Sequence, residues 1–284
     1  MTRRYRLTHD TAYAYSAPVT FDPQHLRFRL RETAYLSVES HVLDVDPPPA
    51  GRRAMRDEEN NRAALAWFTG AHQRLVLRAQ TVFATAADYN PLGFVVQPPR
   101  FARVPFGYGV RQRASLAPYL EPLSLSEGLQ VFGADVLAES GGDTVGFLLA
   151  LTTRVHARST VIYRETGAPM APAQTYAQAA GSCRDLSWML IALLRHVGIA
   201  ARFTSGYFYL ARDTDAGYDL HAWAEAFVPG AGWLGLDPSH GIATGHAHFP
   251  VCSSAHYSGT MPVSGDIRGD ATATLTTHVA ITPL

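Results

Sequence analysis

Three residues stand out for what they could do together: Cys183, His221 and Asp237. A cysteine acts as a nucleophile through its thiolate, a histidine can take up and return the proton, and a carboxylate can hold that imidazole in one tautomer. Cys183 lies where a helix begins, and the partial positive charge there favours an anion. That bias alone is too weak. A helix end contributes about 0.3–1 kcal/mol, whereas one pKa unit corresponds to about 1.4 kcal/mol. A free cysteine titrating at ~8.5 would stay mostly protonated at neutral pH. An imidazolium partner is required, and among the 12 histidines His221 is best placed to supply it.

The elements that must position these groups can be read from pattern. After Cys183, apolar residues fall at Leu186, Met189, Leu190, Leu193, Leu194 and Val197, the stripe of a buried helix over 183–197. Ser182 and Asp185 have capping-box spacing, and Gly198 suits a left-handed stop. His221 opens a strand over 220–228, sharing one face with Trp223, Glu225 and Phe227; Glu225 is expected on a solvated part of that face. A second strand, 233–237, ends at Asp237 before Pro238, and Pro229-Gly230-Ala231-Gly232 marks a hairpin between them. Register then decides the chemistry. A four-residue loop would set Asp237 opposite Ala224, on the face away from His221. A connection of three or five residues, or a bulge, would set it opposite Trp223 and diagonal to His221. The three groups can meet only with the odd connection or the bulge.

Alternating strand-like segments run over 3–19, 25–31, 36–45, 63–68 and 73–84, and no helical period is evident before about residue 125. Residues 1–112 read as an antiparallel β-sandwich-like domain. The proline-rich stretch from Pro98 to Pro122 reads as the connection. Helical patterns at 126–138, 143–157, 173–180 and 183–197 precede strands at 200–210, 220–228, 233–237 and 273–281. Residues 113–284 therefore form an α+β core. Apolar residues make up 47% and charged residues 17%, with zero formal net charge. No broad field recruits nucleic acid or an anionic membrane, so neither is an expected partner. No secretory signal or run of about 18 apolar residues is present, and a cytoplasmic location is expected. Cys183 and Cys252 are the only cysteines, too few for a disulfide framework. All 24 basic residues are arginine, so the chain has no side-chain amine with which to cross-link itself.

Cys183-Arg184-Asp185 before an apolar helix, His221-Ala222-Trp223 and Asp237-Pro238 together resemble the bacterial transglutaminase-like superfamily. This is a papain-like cysteine group that includes transglutaminases, proteases and peptide N-glycanases. Tyr5-Arg6-Leu7-Thr8-His9 with Tyr13-Ala14-Tyr15 resembles the β domain that precedes many bacterial members. The resemblance implies a Cys183–His221–Asp237 triad acting on the amide carbonyl of a peptide or protein substrate through a thioester, with no metal or organic cofactor. Hydrolysis is the expected outcome and transfer to an external amine the alternative. Two departures bear on substrate choice: Ser239-His240 replaces a common Thr-Asn, and residues 253–257 replace a Gly-Arg-Asp-Tyr-like run. His240, His246, His248, Cys252 and His256, read as a loop, match no metal-binding spacing. A zinc site there, or a non-enzymatic binding module with an idle triad, are the readings set against catalysis.

Overall fold

The computed structural model describes residues 2–94, 98–164, 166–209 and 219–284. The first part of the chain is β-structure: β1 (Thr2–Phe21), β2 (Gln24–Leu26), β3 (Leu36–Asp46), β4 (Gly51–Arg56), β5 (Arg62–Trp67) and β6 (His72–Ala86). Helices follow as α1 (Val110–Ser115), α2 (Ala117–Leu120), α3 (Glu127–Glu139) and α4 (Thr144–Arg158). A short β7 (Thr160–Val161) and α5 (Pro172–Gln178) lead to β8 (Ala180–Gly181) and α6 (Cys183–His196). The chain closes with β9 (Ala201–Phe208), β10 (His221–Val228), β11 (Gly232–Asp237), β12 (Ile242–Ala243), β13 (His248–Ser254), β14 (Val263–Ser264), β15 (Ile267–Arg268) and β16 (Ala273–Pro283).

Apolar alternation along β1 and β6 buries one face of a sheet in which β6 lies between β3 and β1, and β16 pairs with the other edge of β1. A second sheet, ordered β14-β2-β5-β4, packs on it through Val19, Phe21, Leu26, Ala66, Leu75 and Leu77. This is an antiparallel sandwich, as the alternation predicts. The third sheet runs β12-β11-β10-β9-β13, and α6 packs against it. Helices on an antiparallel sheet give the α+β core.

Helix α6 is buried from Leu186 to Arg195. The Asp185 carboxylate accepts the Ser182 N–H and hydroxyl, each at 2.7 Å, which ties down the first turn. Gly198 takes φ +82°, and the Ile199 N–H reaches back to the Leu194 carbonyl at 2.9 Å, ending the helix.

Several expectations need correction. Helices α1 and α2 occupy the stretch read as an unpatterned connection; at six and four residues they are too short to show a period. Strand β4 lies between the strands expected over 36–45 and 63–68, where none is expected. The strand expected over 25–31 stops at Leu26, and Leu210, the end of another expected strand, lies outside the described residues. The histidine-rich segment is not a loop: His248–Ser254 is a fully buried strand. The last strand, β16, belongs to the first sheet, so the chain after residue 113 is not confined to the core.

Candidate active site

The hairpin register brings the key groups to one face. Val228 pairs with Gly232 and Ala224 with Leu236, so Pro229, Gly230 and Ala231 form a three-residue connection. Gly230 and Gly232 take φ +94° and +80°, values that a side chain disfavours. The odd count carries Asp237 to the level of Trp223, diagonal to His221. The two side chains close the gap with a 2.8 Å contact between His221 Nε2 and Asp237 Oδ2.

The other His221 nitrogen is left for Cys183, whose sulfur acts on the imidazole from within hydrogen-bonding reach. Cys183 begins α6 and is half-buried. A bond from the Ser187 hydroxyl to the Ala222 carbonyl (3.2 Å) fixes the helix against β10 beside His221. On the opposite side of His221, Gly206 is its pairing partner on β9. A Cβ there would lie 2.3 Å from the Phe249 carbonyl oxygen and 2.7 Å from Trp223, so only glycine lets β9, β10 and β13 close.

Burial by itself would lower the His221 imidazole, but the Asp237 carboxylate and the Cys183 thiolate outweigh it and raise it to about 10. Burial likewise works to raise the Asp237 carboxyl, yet His221, His240 and His248 hold it well below the usual carboxylate range. Asp237 is fully buried. Its Oδ1 accepts the Ser239 N–H at 3.0 Å and the Ser239 hydroxyl at 2.6 Å. Its Oδ2 meets His240 Nδ1 at 2.9 Å and His248 Nε2 at 3.1 Å in addition to His221.

In sequence, His240 is tied to substrate choice and to a zinc alternative, and His248 to the zinc alternative alone; neither is expected on the Asp237 carboxylate. Asp237-Pro238-Ser239 has the spacing of a carboxylate that turns back on its own backbone, a visible signal for Ser239. His248 reaches Asp237 only because β13 packs beside β9, which the sequence does not display. The five tail residues do not gather at one point: His240 and His248 meet at Asp237, but Cys252 contacts Ser205 in the interior, and His256 packs on Trp188 and Tyr257. Among the described residues, the atoms nearest a metal-ligand arrangement, on His221, Asp237 and His240, lie within 4.8 Å of one another and form the hydrogen-bonded cluster already described.

Glu225 is not on a solvated face. It is buried between Arg31 and Arg202, with its carboxylate bonded to Arg202 Nε at 2.7 Å and also to Arg31. Burial would raise this carboxyl, but the two guanidiniums bring it down to about 2. Trp188 and Trp223 are both buried.

Cys183, His221 and His240 open onto a cavity of about 730 Å³. It lies between the core and the first sheet, which contributes His9, Thr11, Tyr13, Leu275 and Thr277 to its wall.

Residues 137–238, which hold Cys183, His221 and Asp237, match the transglutaminase-like superfamily. Residues 5–83 match the bacterial transglutaminase-like N-terminal region. An uncharacterized protein of Mycobacterium tuberculosis is 28% identical over 280 residues, covering 94% of this chain and 88% of its own. A further uncharacterized protein, from Mycobacterium leprae, is 30% identical over 111 residues, 38% of this chain and 39% of its own. In fold, the chain is similar to a suspected cysteine protease from Cytophaga hutchinsonii, with a TM-score of 0.70 at 18% identity, over 100% of this chain and 91% of that one.

Proposed function

The chain belongs to the bacterial transglutaminase-like superfamily, and from that premise we propose that it hydrolyses a peptide or other amide through a thioester on Cys183. The observation that carries this reading is His221 held between the Cys183 thiol and the Asp237 carboxylate. The Cys183 sulfur attacks the carbonyl carbon, forming a C–S bond. The oxygen takes up negative charge beside the Cys183 N–H, one of the free donors at the start of α6. His221 delivers its proton to the leaving nitrogen as the C–N bond breaks. A water molecule then gives a proton to His221 and adds to the thioester; the C–S bond breaks, releasing a carboxylic acid and restoring the pair. Asp237 acts through His221, as a positioning residue.

The test is turnover of a peptide library by purified protein, with and without a small primary amine. Cys183→Ala is expected to abolish turnover and leave the fold intact. Cys252→Ala is expected to be nearly silent, because burial pushes that thiol up to about 11. Turnover retained above a few percent in Cys183→Ala would overturn the proposal. Amine incorporation exceeding hydrolysis at low millimolar amine would make the reaction transamidation instead.

A further inference from the structure

The face of β1 and β16 that packs on the core does so only along part of its length. Tyr5, Leu7, Val279 and Ile281 are buried against Tyr207 and Phe249. Further along the same face, His9, Thr11 and Tyr13 on β1, with Thr277 and Leu275 on β16, turn from interface into cavity wall. The pairing sets Thr11 opposite Thr277 and Tyr13 opposite Leu275. Two hydroxyls and an adjoining apolar platform thus line the cavity that also holds Cys183.

The hydroxyls are oriented by His9. Its Nδ1 lies 2.7 Å from the Tyr207 hydroxyl, and its Nε2 lies 3.0 Å from Thr11 Oγ1 and 3.1 Å from Thr277 Oγ1. Burial pushes the Tyr207 phenol up, so it keeps its proton and can donate it to His9 Nδ1. Burial also pushes His9 down to about 4, so at neutral pH it carries one ring proton. With Nδ1 accepting, that proton is on Nε2, shared between the two threonine oxygens. In that tautomer both threonines accept from His9 and keep their own hydroxyl protons to donate elsewhere. Donors of this kind suit backbone carbonyls. The wall carries no charge, so a charged side chain held against it would lose hydration without gaining a partner. Of the other charged groups on the cavity, Arg164 is paired with Asp185, and Arg184 and Asp219 are of opposite sign.

We propose that this part of the first sheet is a substrate-binding wall, taking an extended, uncharged peptide segment through Thr277, Thr11 and the Tyr13–Leu275 platform. The proposal rests on the thioester reading for its substrate class, and its test is kept independent of turnover. Three fluorescein-labelled octapeptide pools, uncharged, acidic and basic, are titrated onto Cys183→Ala protein by fluorescence anisotropy. The uncharged pool is expected to bind tightest. Leu275→Asp should weaken it at least tenfold, and Thr277→Val about fivefold, the loss of roughly one neutral hydrogen bond. Thr277 is exposed, so its variant folds as the parent does. No binding by any pool, preference for a charged pool, or binding of the uncharged pool unchanged in both variants would overturn the wall. Binding that depends on Leu275 in a protein whose Cys183 alkylates no faster than a free thiol would instead remove the thioester chemistry and leave the wall standing.

Discussion

At the scale of single residues, the notable feature is one oxygen, Asp237 Oδ2, that collects three imidazoles. Their roles differ. The Gly245 N–H donates to His248 Nδ1 at 3.2 Å, so the His248 proton is on Nε2 and points at Asp237. Burial lowers the His248 imidazole, keeping it a neutral donor at the back of the carboxylate. His240 approaches from the cavity side, with its side chain 35% exposed. Losing one of three donors leaves Asp237 still paired. His240→Ala is therefore expected to slow alkylation of Cys183 by iodoacetamide only three- to tenfold, with His240→Asn restoring most of it. His221→Ala should slow it by far more, measured at pH 6.5. His221 also gives a pH signature. Its folded value of about 10 lies above its ordinary one, so its contribution to stability is complete below about pH 6.5 and lost as pH rises through about 10. The melting-temperature gap between wild type and His221→Gln should be widest near pH 6 and shrink by at least half at pH 10; a constant gap would contradict the pairing. Cys183, His221 and Asp237 were legible as a set because each sits at a recognisable point of its element. His240 and His248 were not, because a histidine carries no sequence mark of the carboxylate it will meet across a sheet.

At the scale of elements, legibility followed length and period. Helix α6 shows its stripe, cap and stop over four turns, and its expected and observed limits differ by one residue at the C-terminal end. The hairpin was legible as a condition: its chemistry demanded an odd loop, and glycines at 230 and 232 made one accessible. Strand β13 was missed because proline, serines and a histidine interrupt its apolar pattern, although every residue in it is buried. Glu225 was misplaced because alternation identifies a face without saying what covers it, and Arg31 comes from nearly 200 residues away. Closure of β9 against β10 and β13 rests on Gly206. Gly206→Ala would place a Cβ against backbone at 2.3 Å and 2.8 Å, where no flexible side chain can give way. A loss of about 2–3 kcal/mol is expected, read as a lower urea midpoint at unchanged slope. Gly107→Ala, where a Cβ meets nothing within 4 Å, is the matched control and should melt with the parent. Equal midpoints for the two variants would show that the strands can part without cost.

At the scale of the whole molecule, the first and last strands lie side by side, and together they close one side of the cavity. The apolar patch joining this sheet to the core ends at His9, whose imidazole bonds Tyr207 across the boundary at 2.7 Å. His9 is buried, and that burial sets its value at about 4. The unfolded chain takes up a proton near pH 6.5, while the folded chain resists until about pH 4. Stability from neutral His9 is therefore complete above pH 6.5 and is lost as pH falls toward 4. Between pH 7 and pH 5 the loss is about 2 kcal/mol, or roughly 3–4 °C in melting temperature for a chain of this size. His41 adds to the same trend, because burial, and then Arg29 and Arg52, lower it to about 4. The two are separable. His9→Gln keeps one donor and one acceptor at the boundary without a titrating ring, so it should melt lower than wild type at pH 7 yet lose fewer degrees on going to pH 5, the remainder belonging to His41. If wild type and His9→Gln lose the same number of degrees between pH 7 and pH 5, the acid sensitivity of the boundary lies elsewhere than in His9.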